Sequence, residues 1–418
     1  MLLSVLLALT AIMVTTRAMG ALAQKVNQPA VIGEVIGGIM LGPSLLGWLA
    51  PQLQASLLPG EAIPVLGMMA QIGVLLYMFL VGLELDLDSL RGRAGKTMAI
   101  SATGIVVPFA LGAILALRIF DGHAPDGVSL LSFVLFIGVS MAITAFPVLA
   151  RILGDRRLQR TPMGILALTC AAIDDVSAWC LLAFVVSVSQ NTPADAIKTT
   201  VLTAAYIGFM LTIGRLVMTK IIARLDETKR IGENALTFLL LAVLASAIAT
   251  EYIGVHAIFG AFLLGAIISH DSAVAEHVRI RIEDLVKVSL LPAFFAMTGL
   301  RTQVGLLSGG SEWALCAIII IIAVAGKFGG VTIAARLTGS NWRDSATLGA
   351  LMNTRGLVEL IVLNLGLDLG VLTPRLFTML VIMALVTTFS TTPVLDLLLG
   401  KRGFADETAP GTAPSSQT

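Results

Sequence analysis

Apolar residues run in blocks of about twenty along almost the whole chain, parted by short polar loops. Blocks of that length predict membrane-spanning helices rather than the narrow apolar stripes of a soluble bundle. Thirteen such segments can be read, at about 2–23, 30–49, 62–83, 97–117, 129–151, 161–189, 197–219, 234–252, 255–270, 284–300, 312–337, 345–368 and 374–399. The second and ninth are short for a crossing, so tilted or irregular helices are expected there. The opening stretch MLLSVLLALTAIMVTTRAMG has no basic residues ahead of its apolar run. It reads as the first membrane helix rather than a cleaved signal. Residues 1–400 form one transmembrane domain on this pattern. The polar, Pro/Ser/Thr-rich tail 401–418 is expected to be disordered and cytoplasmic.

Composition agrees with the block pattern. The chain is 57% hydrophobic and 13% charged, against roughly 25% charged in soluble domains. The predicted class is therefore an all-α polytopic membrane protein. A net charge of +1 and the lack of a basic patch interleaved with aromatics leave nucleic-acid binding without support. Cys170, Cys180 and Cys316 all fall in apolar segments at spacings that match no metal site, and no disulfide is expected.

Lys and Arg are distributed unevenly between the loops. Odd-numbered loops and the tail hold 19 of them, among them Arg91, Arg93, Arg151, Arg156, Arg157, Arg160, Lys229, Arg230, Lys401 and Arg402, whereas even-numbered loops hold four. The asymmetry places the odd loops and the C-terminus in the cytoplasm and the N-terminus outside. It also supports thirteen crossings, because one missed helix would scramble the alternation. Four basic residues stay inside segments. Arg17 and Arg215 lie toward segment ends, where long side chains reach the interface; Lys327 and Arg355 lie deeper and need partners.

Thirteen helices suggest two six-helix units joined by the seventh. An offset of seven is odd, so the second unit is inverted relative to the first, an architecture common in transporters with a site near midplane. The breaks correspond. Segment 5 carries VSMAITAFPVLARI, in which Pro147 interrupts a helical run, and segment 12 carries GALMNTRGLVELI, with Asn353 to Gly356 at its middle. Interrupted helices free carbonyls and expose half-helix ends whose partial charges act on ions.

The sharpest anomaly is Asp174 and Asp175, side by side within GILALTCAAIDDVSAWCLLAFVV. A carboxylate at bilayer depth costs about 2.5–3.5 kcal/mol even on the lenient insertion scale. Two in a row point to a site that holds a proton or cation. Neighbours on a helix diverge by about 100°, so one can face an ion path while the other meets a basic partner. Lys327 is the candidate partner of Asp174, since a buried Lys deprotonates easily unless paired. A plain buried ion pair would explain one aspartate but not both. Thr144 and Ser140 offer hydroxyl oxygens beside the break in segment 5. Arg355 and Glu359 stand at salt-bridge spacing, and Arg355 sits at the break itself. Glu84 lies near the cytoplasmic end of segment 3, at the interface or in a cytoplasmic funnel. For Glu34, Glu251 and His256 a structural hydrogen-bonding role is favoured.

VGLELDLD, SMAITAFPVLARIL, AAIDDVSAW, GVHAIFGAFLLG, FFAMTGLRT and MNTRGLVELIVL, in that set and order, resemble the monovalent cation:proton antiporter-2 family from about Val31 to Leu399. The resemblance implies a homodimer in the bacterial inner membrane. Each protomer would have a core of crossed discontinuous helices (about 97–189 and 312–399), a scaffold elsewhere, and elevator-type alternating access. It assigns Asp175 as the ion- and proton-carrying carboxylate, Asp174 as its partner in the pair, and Lys327 as the lysine that pairs with Asp174. Thr144 and Asn353 to Arg355 then fall at the helix crossing. An aspartate pair with this lysine is similar to the electrogenic sodium/proton members. The chain differs from the glutathione-gated potassium members, which carry Gln where Asp174 stands. The WCLLAF run after the pair is closer to plant-type cation exchangers.

The expected activity is exchange of a monovalent cation, sodium first, for protons, with Asp174 and Asp175 as cation ligands and no cofactor beyond the transported ions. The alternatives are potassium/proton exchange, a cation channel with an acidic constriction, or a sodium-coupled solute symporter on a related fold. An intramembrane aspartyl protease is disfavoured because its two carboxylates must converge on one water. No enzymatic activity is expected.

Overall fold

The computed structural model describes residues 1–84, 95–159, 161–190, 193–227, 232–269 and 272–400. The tail 401–418 and the loop residues Arg91, Arg93, Arg160, Lys229 and Arg230 lie outside the described residues, as does the LDLD end of the VGLELDLD motif.

Each of the thirteen apolar segments is helical. In chain order they are α1 (Leu2–Lys25), α2 (Ala30–Leu41), α3 (Ile63–Glu84), α4 (Lys96–His123), the halves α5a (Leu130–Ala142) and α5b (Phe146–Asp155), and α6 (Pro162–Gln190). Then follow α7 (Pro193–Phe209, running through a π-turn into Arg215–Glu227), α8 (Glu233–Ile253), α9 (Ala257–Ile267) and α10 (Ala273–Leu285, continuing into Leu291–Arg301). The last are α11 (Gly310–Val324, continuing through a π-turn into Gly330–Leu337), the halves α12a (Trp342–Met352) and α12b (Leu357–Asp368), and α13 (Pro374–Leu399).

Among the described residues ten of these bodies are long and apolar enough to cross a membrane, or eleven with the α12 pair, which bends by 43° at its break. Two segments expected to cross fall short by that measure. Helix α9 has only 11 residues, about 16 Å of rise. Helix α10 begins with the charged run AVAEHVRIRIEDL, whose Arg279 pairs with Glu276 and Glu283.

Two groups of helices can be told apart by packing. Helices α1, α2, α3, α9 and α10 pack on one another, and α8 packs on α9; α4, α5a, α6, α11, α12a and α13 form the second set of contacts. The first group packs backbone against backbone. A Cβ on Gly33 of α2 would lie 2.1 Å from the Met19 carbonyl oxygen of α1, and one on Gly82 of α3 would lie 2.3 Å from that of Phe262 in α9. Close approach through glycine is how helices gain van der Waals contact where lipid removes the hydrophobic drive between them. The outer faces of α7 and α8 carry exposed Phe209, Ile213, Leu216, Leu241 and Ile248, apolar side chains that a bilayer covers.

The two broken helices cross. Between α5a and α5b the chain is extended at Ile143 and Ala145. The break therefore precedes Pro147, which the sequence made the point of interruption. Pro147 sits instead in the first turn of α5b, where its missing N–H costs no intrahelical bond. Between α12a and α12b the break occupies Asn353 to Gly356, as read from sequence. The Ala145 amide donates to the Thr354 carbonyl at 3.1 Å, which joins the two breaks.

Candidate functional site

A broken helix leaves carbonyls without intrahelical donors at the end of its first half, and the negative end of its dipole collects there. Two buried cations meet those groups on α5a. Arg355 donates through Nη1 to the Ser140 carbonyl at 2.8 Å and through Nη2 to that of Met141 at 2.7 Å. Lys327 donates through Nζ to the Ala142 carbonyl at 2.6 Å. Both side chains are fully buried. Lys327 stands in the π-turn Ala325–Gly329 of α11, an irregularity that often marks functional sites.

The remaining donors of Lys327 go to the Gly104 carbonyl of α4 at 2.8 Å and to Asp174 Oδ2 at 2.8 Å. An ammonium has three protons, and here each has an acceptor. Asp174 is equally engaged. Its Oδ2 also accepts from Thr144 Oγ1 at 2.8 Å, and its Oδ1 from Ser101 Oγ at 2.6 Å. Asp174 and Lys327 thus form a closed, buried knot tying α6, α11, α4 and the break in α5.

Asp175 is the opposite case. It is 2% exposed, and neither carboxylate oxygen has a hydrogen-bond partner among the described residues. The Phe146 amide at the start of α5b is directed at it from just outside hydrogen-bond geometry. The N-terminal, positive end of a half-helix thus faces this carboxylate. An orphaned buried carboxylate is costly, and two neighbours on one helix have been given unlike surroundings by their angular offset.

Arg355 also pairs with Glu359 at 3.0 Å, both fully buried, leaving Glu359 Oε1 without a partner among the described residues. Asn353 is buried with its Oδ1 likewise unpartnered. The two hydroxyls proposed as cation ligands are turned elsewhere. Ser140 Oγ donates to the Ile137 carbonyl at 2.9 Å, and Thr144 Oγ1 donates to Asp174 rather than toward Asp175. Asp174, also named as a cation ligand, is occupied by Lys327, Ser101 and Thr144.

A cavity of about 790 Å³ lies between the two helix groups, and Arg17, Glu34, Tyr77, Glu84, Pro147 and Arg151 are among its lining residues. Glu84 lines this cavity. Pro147 follows Phe146 in α5b, so the cavity reaches the half-helix that begins beside Asp175, although Asp175 is not itself among the lining residues. Glu251 and His256 have structural tasks at the start of α9. Glu251 Oε2 accepts from the Ala257 amide at 2.8 Å, and His256 Nδ1 from that of Ile258 at 3.4 Å.

Sequence reasoning missed two participants. Ser101 completes the Asp174 shell, and Thr388 braces the α12 break by accepting from the Arg355 amide at 3.0 Å and donating to the Arg355 carbonyl at 2.6 Å. Both are small hydroxyl residues in apolar helices, where such side chains usually bond back to their own helix. Nothing local separates these from their neighbours.

The model of the transmembrane sodium/hydrogen exchanger family matches residues 8–397. The chain is 45% identical over 381 residues to the Na(+)/H(+) antiporter NhaS4 of Synechocystis sp., covering 91% of this chain and 93% of that protein. It is 35% identical over 381 residues to the K(+)/H(+) antiporter 1 of Saccharomyces cerevisiae, covering 89% of this chain but 44% of the yeast protein. The chain spans about half the length of that relative and of the Arabidopsis thaliana cation/H(+) antiporters it also matches. Its fold matches the solved structure of the sodium proton antiporter MjNhaP1 from Methanocaldococcus jannaschii with a TM-score of 0.68 at 14% identity, covering 96% of this chain and 99% of the other.

Proposed function

The chain belongs to the sodium/hydrogen exchanger family, and on that premise we propose that it is a membrane antiporter exchanging a monovalent cation for protons, with Asp175 as the carboxylate they share. The observation that carries the proposal is the contrast within the aspartate pair: Asp174 is saturated by Lys327, Ser101 and Thr144, while Asp175 is buried and unpartnered among the described residues. An unpartnered carboxylate binds one proton or one hard cation, for which oxygen ligands are suited. The carbonyls of Ser140, Met141 and Ala142 are already tied to Arg355 and Lys327. Further ligands for the cation would then come from Asn353 Oδ1, unpartnered among the described residues, and from water carried in with the ion.

Sodium is the first choice of cation, on the likeness to NhaS4. Potassium is the second, on the likeness to the yeast potassium/proton antiporter. Transport proceeds by alternating access, with the group that contains α4, α5, α6, α11, α12 and α13 moving against the glycine-packed group. The protein acts as a homodimer in a bacterial inner membrane. Reconstitution with a pH-sensitive dye and successive additions of sodium, lithium and potassium chloride tests the activity and its selectivity, with valinomycin setting the voltage where potassium is not the test ion. Asp175→Asn is expected to abolish exchange while the protein stays folded; cation-dependent proton movement retained in that variant would overturn the site assignment.

A further inference from the structure

We propose that a second cavity, at the arginine-rich end of the molecule, binds a phosphate-bearing ligand and, when filled, holds the two helix groups together. The cavity measures about 550 Å³, within the usual range for small-molecule sites. One wall is the turn between α1 and α2, including Gln28 and Pro29; the other comes from α5b and the end of α13, with Arg151, Arg156, Arg157 and Asp396. Three arginines face one aspartate, so the lining favours an anion over a cation. Arg156 is shared already, donating to Asp396 at 2.8 Å and to the Thr392 carbonyl at 3.2 Å. The planar guanidinium matches phosphate oxygens pairwise.

Two further features belong to this lining. Gln28, 6% exposed, donates through Nε2 to the Phe389 carbonyl at 3.2 Å, but its Oε1 has no partner. That lone acceptor asks the ligand for a donor beside its phosphate, such as a glycerol or sugar hydroxyl. Arg157 adds a conformational clue. Its φ of 56° is left-handed, a conformation costly for a residue with a Cβ and usually given to glycine after a helix.

The shared chemistry is a phosphate monoester or diester with a neighbouring hydroxyl, from either an acidic lipid headgroup or a soluble metabolite. A ligand touching both walls resists any displacement of one group past the other. That consequence rests on the alternating-access proposal; binding itself does not. The test uses the full chain in detergent and in nanodiscs. Glycerol 1-phosphate is titrated calorimetrically in one arm, and phosphatidylglycerol is compared with phosphatidylcholine by native mass spectrometry in the other. Binding in either arm, weakened about tenfold or more by Arg157→Gln and by Gln28→Leu in variants that elute as folded protein, supports the site, and the arm that binds names the source. Binding in neither arm, or binding that both variants leave unchanged, overturns it. In proteoliposomes the bound ligand should slow cation-dependent proton movement severalfold in the parent and not in Arg157→Gln; equal rates with and without ligand overturn the bracing role. An inactive protein that still binds would count against the antiport proposal alone.

Discussion

Removing the lysine of the closed knot should cost more than removing the whole pair. Lys327→Met keeps the side-chain volume and leaves Asp174 fully buried with only Ser101 and Thr144 to hold its charge. Breaking a buried ion pair from one side costs about 3–5 kcal/mol. Asp174→Asn keeps much of the shape but strands Lys327, at a cost of the same order. In the double variant Asp174→Asn/Lys327→Met no charge is left unpaired. The main loss is then the donor to the Gly104 and Ala142 carbonyls, about 1 kcal/mol each. The double variant should therefore be more stable than either single, with a coupling energy of at least about 3 kcal/mol in a double-mutant cycle. Unfolding in mixed micelles of dodecyl maltoside and increasing SDS, followed by tryptophan fluorescence, reads all four proteins. A single variant costing less than about 1 kcal/mol, or a double variant equal to the sum of the singles, would refute the knot as an energetic unit.

Lys327→Ala should also change the voltage dependence of exchange in proteoliposomes, since one charge crossing the membrane is worth about 2.3 kcal/mol per 100 mV; an unaltered dependence would make the lysine structural. Thr388→Val removes the hydroxyl that bonds both sides of Arg355 at the α12 break and should destabilise the protein by about 1–3 kcal/mol in the same micelle titration, with no effect disproving its bracing role. Gly82→Val places a branched side chain against the Phe262 carbonyl, where a Cβ alone would come within 2.3 Å, and should reduce the yield of folded protein in membranes; normal yield would show that α3 and α9 can separate without cost.

The apolar blocks mark where helices begin and end because the bilayer demands a length and a composition that almost no other environment does. Breaks were legible for the same reason: Asn353 to Gly356 interrupts an apolar run that has no reason to be polar. The break in segment 5 was placed too late, at Pro147, because proline is the visible breaker while the residues that unwind, Ile143 to Ala145, have ordinary side chains. Asp174, Asp175, Lys327 and Arg355 stood out by the cost of their charge. Their partners did not. Ser101 lies 73 residues from Asp174, and its hydroxyl is as common in membrane helices as those that merely bond to the preceding turn. The orientation of Ser140 and Thr144 was unreadable too, since rotamers at a break depend on which neighbour arrives from the other half of the chain.

The buried charges around the crossing suggest why a single monovalent ion is the right cargo. At their ordinary charges Lys327 and Arg355 supply two positive groups, and Asp174, Asp175 and Glu359 three negative ones, all 2% exposed or less. This buried set then carries one uncompensated negative charge, located by the hydrogen-bond pattern on Asp175, because Asp174 and Glu359 each have a cation in contact. One proton or one monovalent cation on Asp175 brings the set to neutrality; a divalent ion would overshoot it. Moving a net charge through the apolar barrier is expensive and moving a neutral set is not. Under the proposed alternating access, the group would cross when loaded with either ion and be held when empty, so that cation and proton would alternate on one carboxylate. Coupling in this scheme needs no contact between the two substrates. Lys327 and Asp174 cancel each other in this sum, so a protein with both neutralised should keep the carrier carboxylate and the same charge per cycle, whereas Lys327→Met alone should change it.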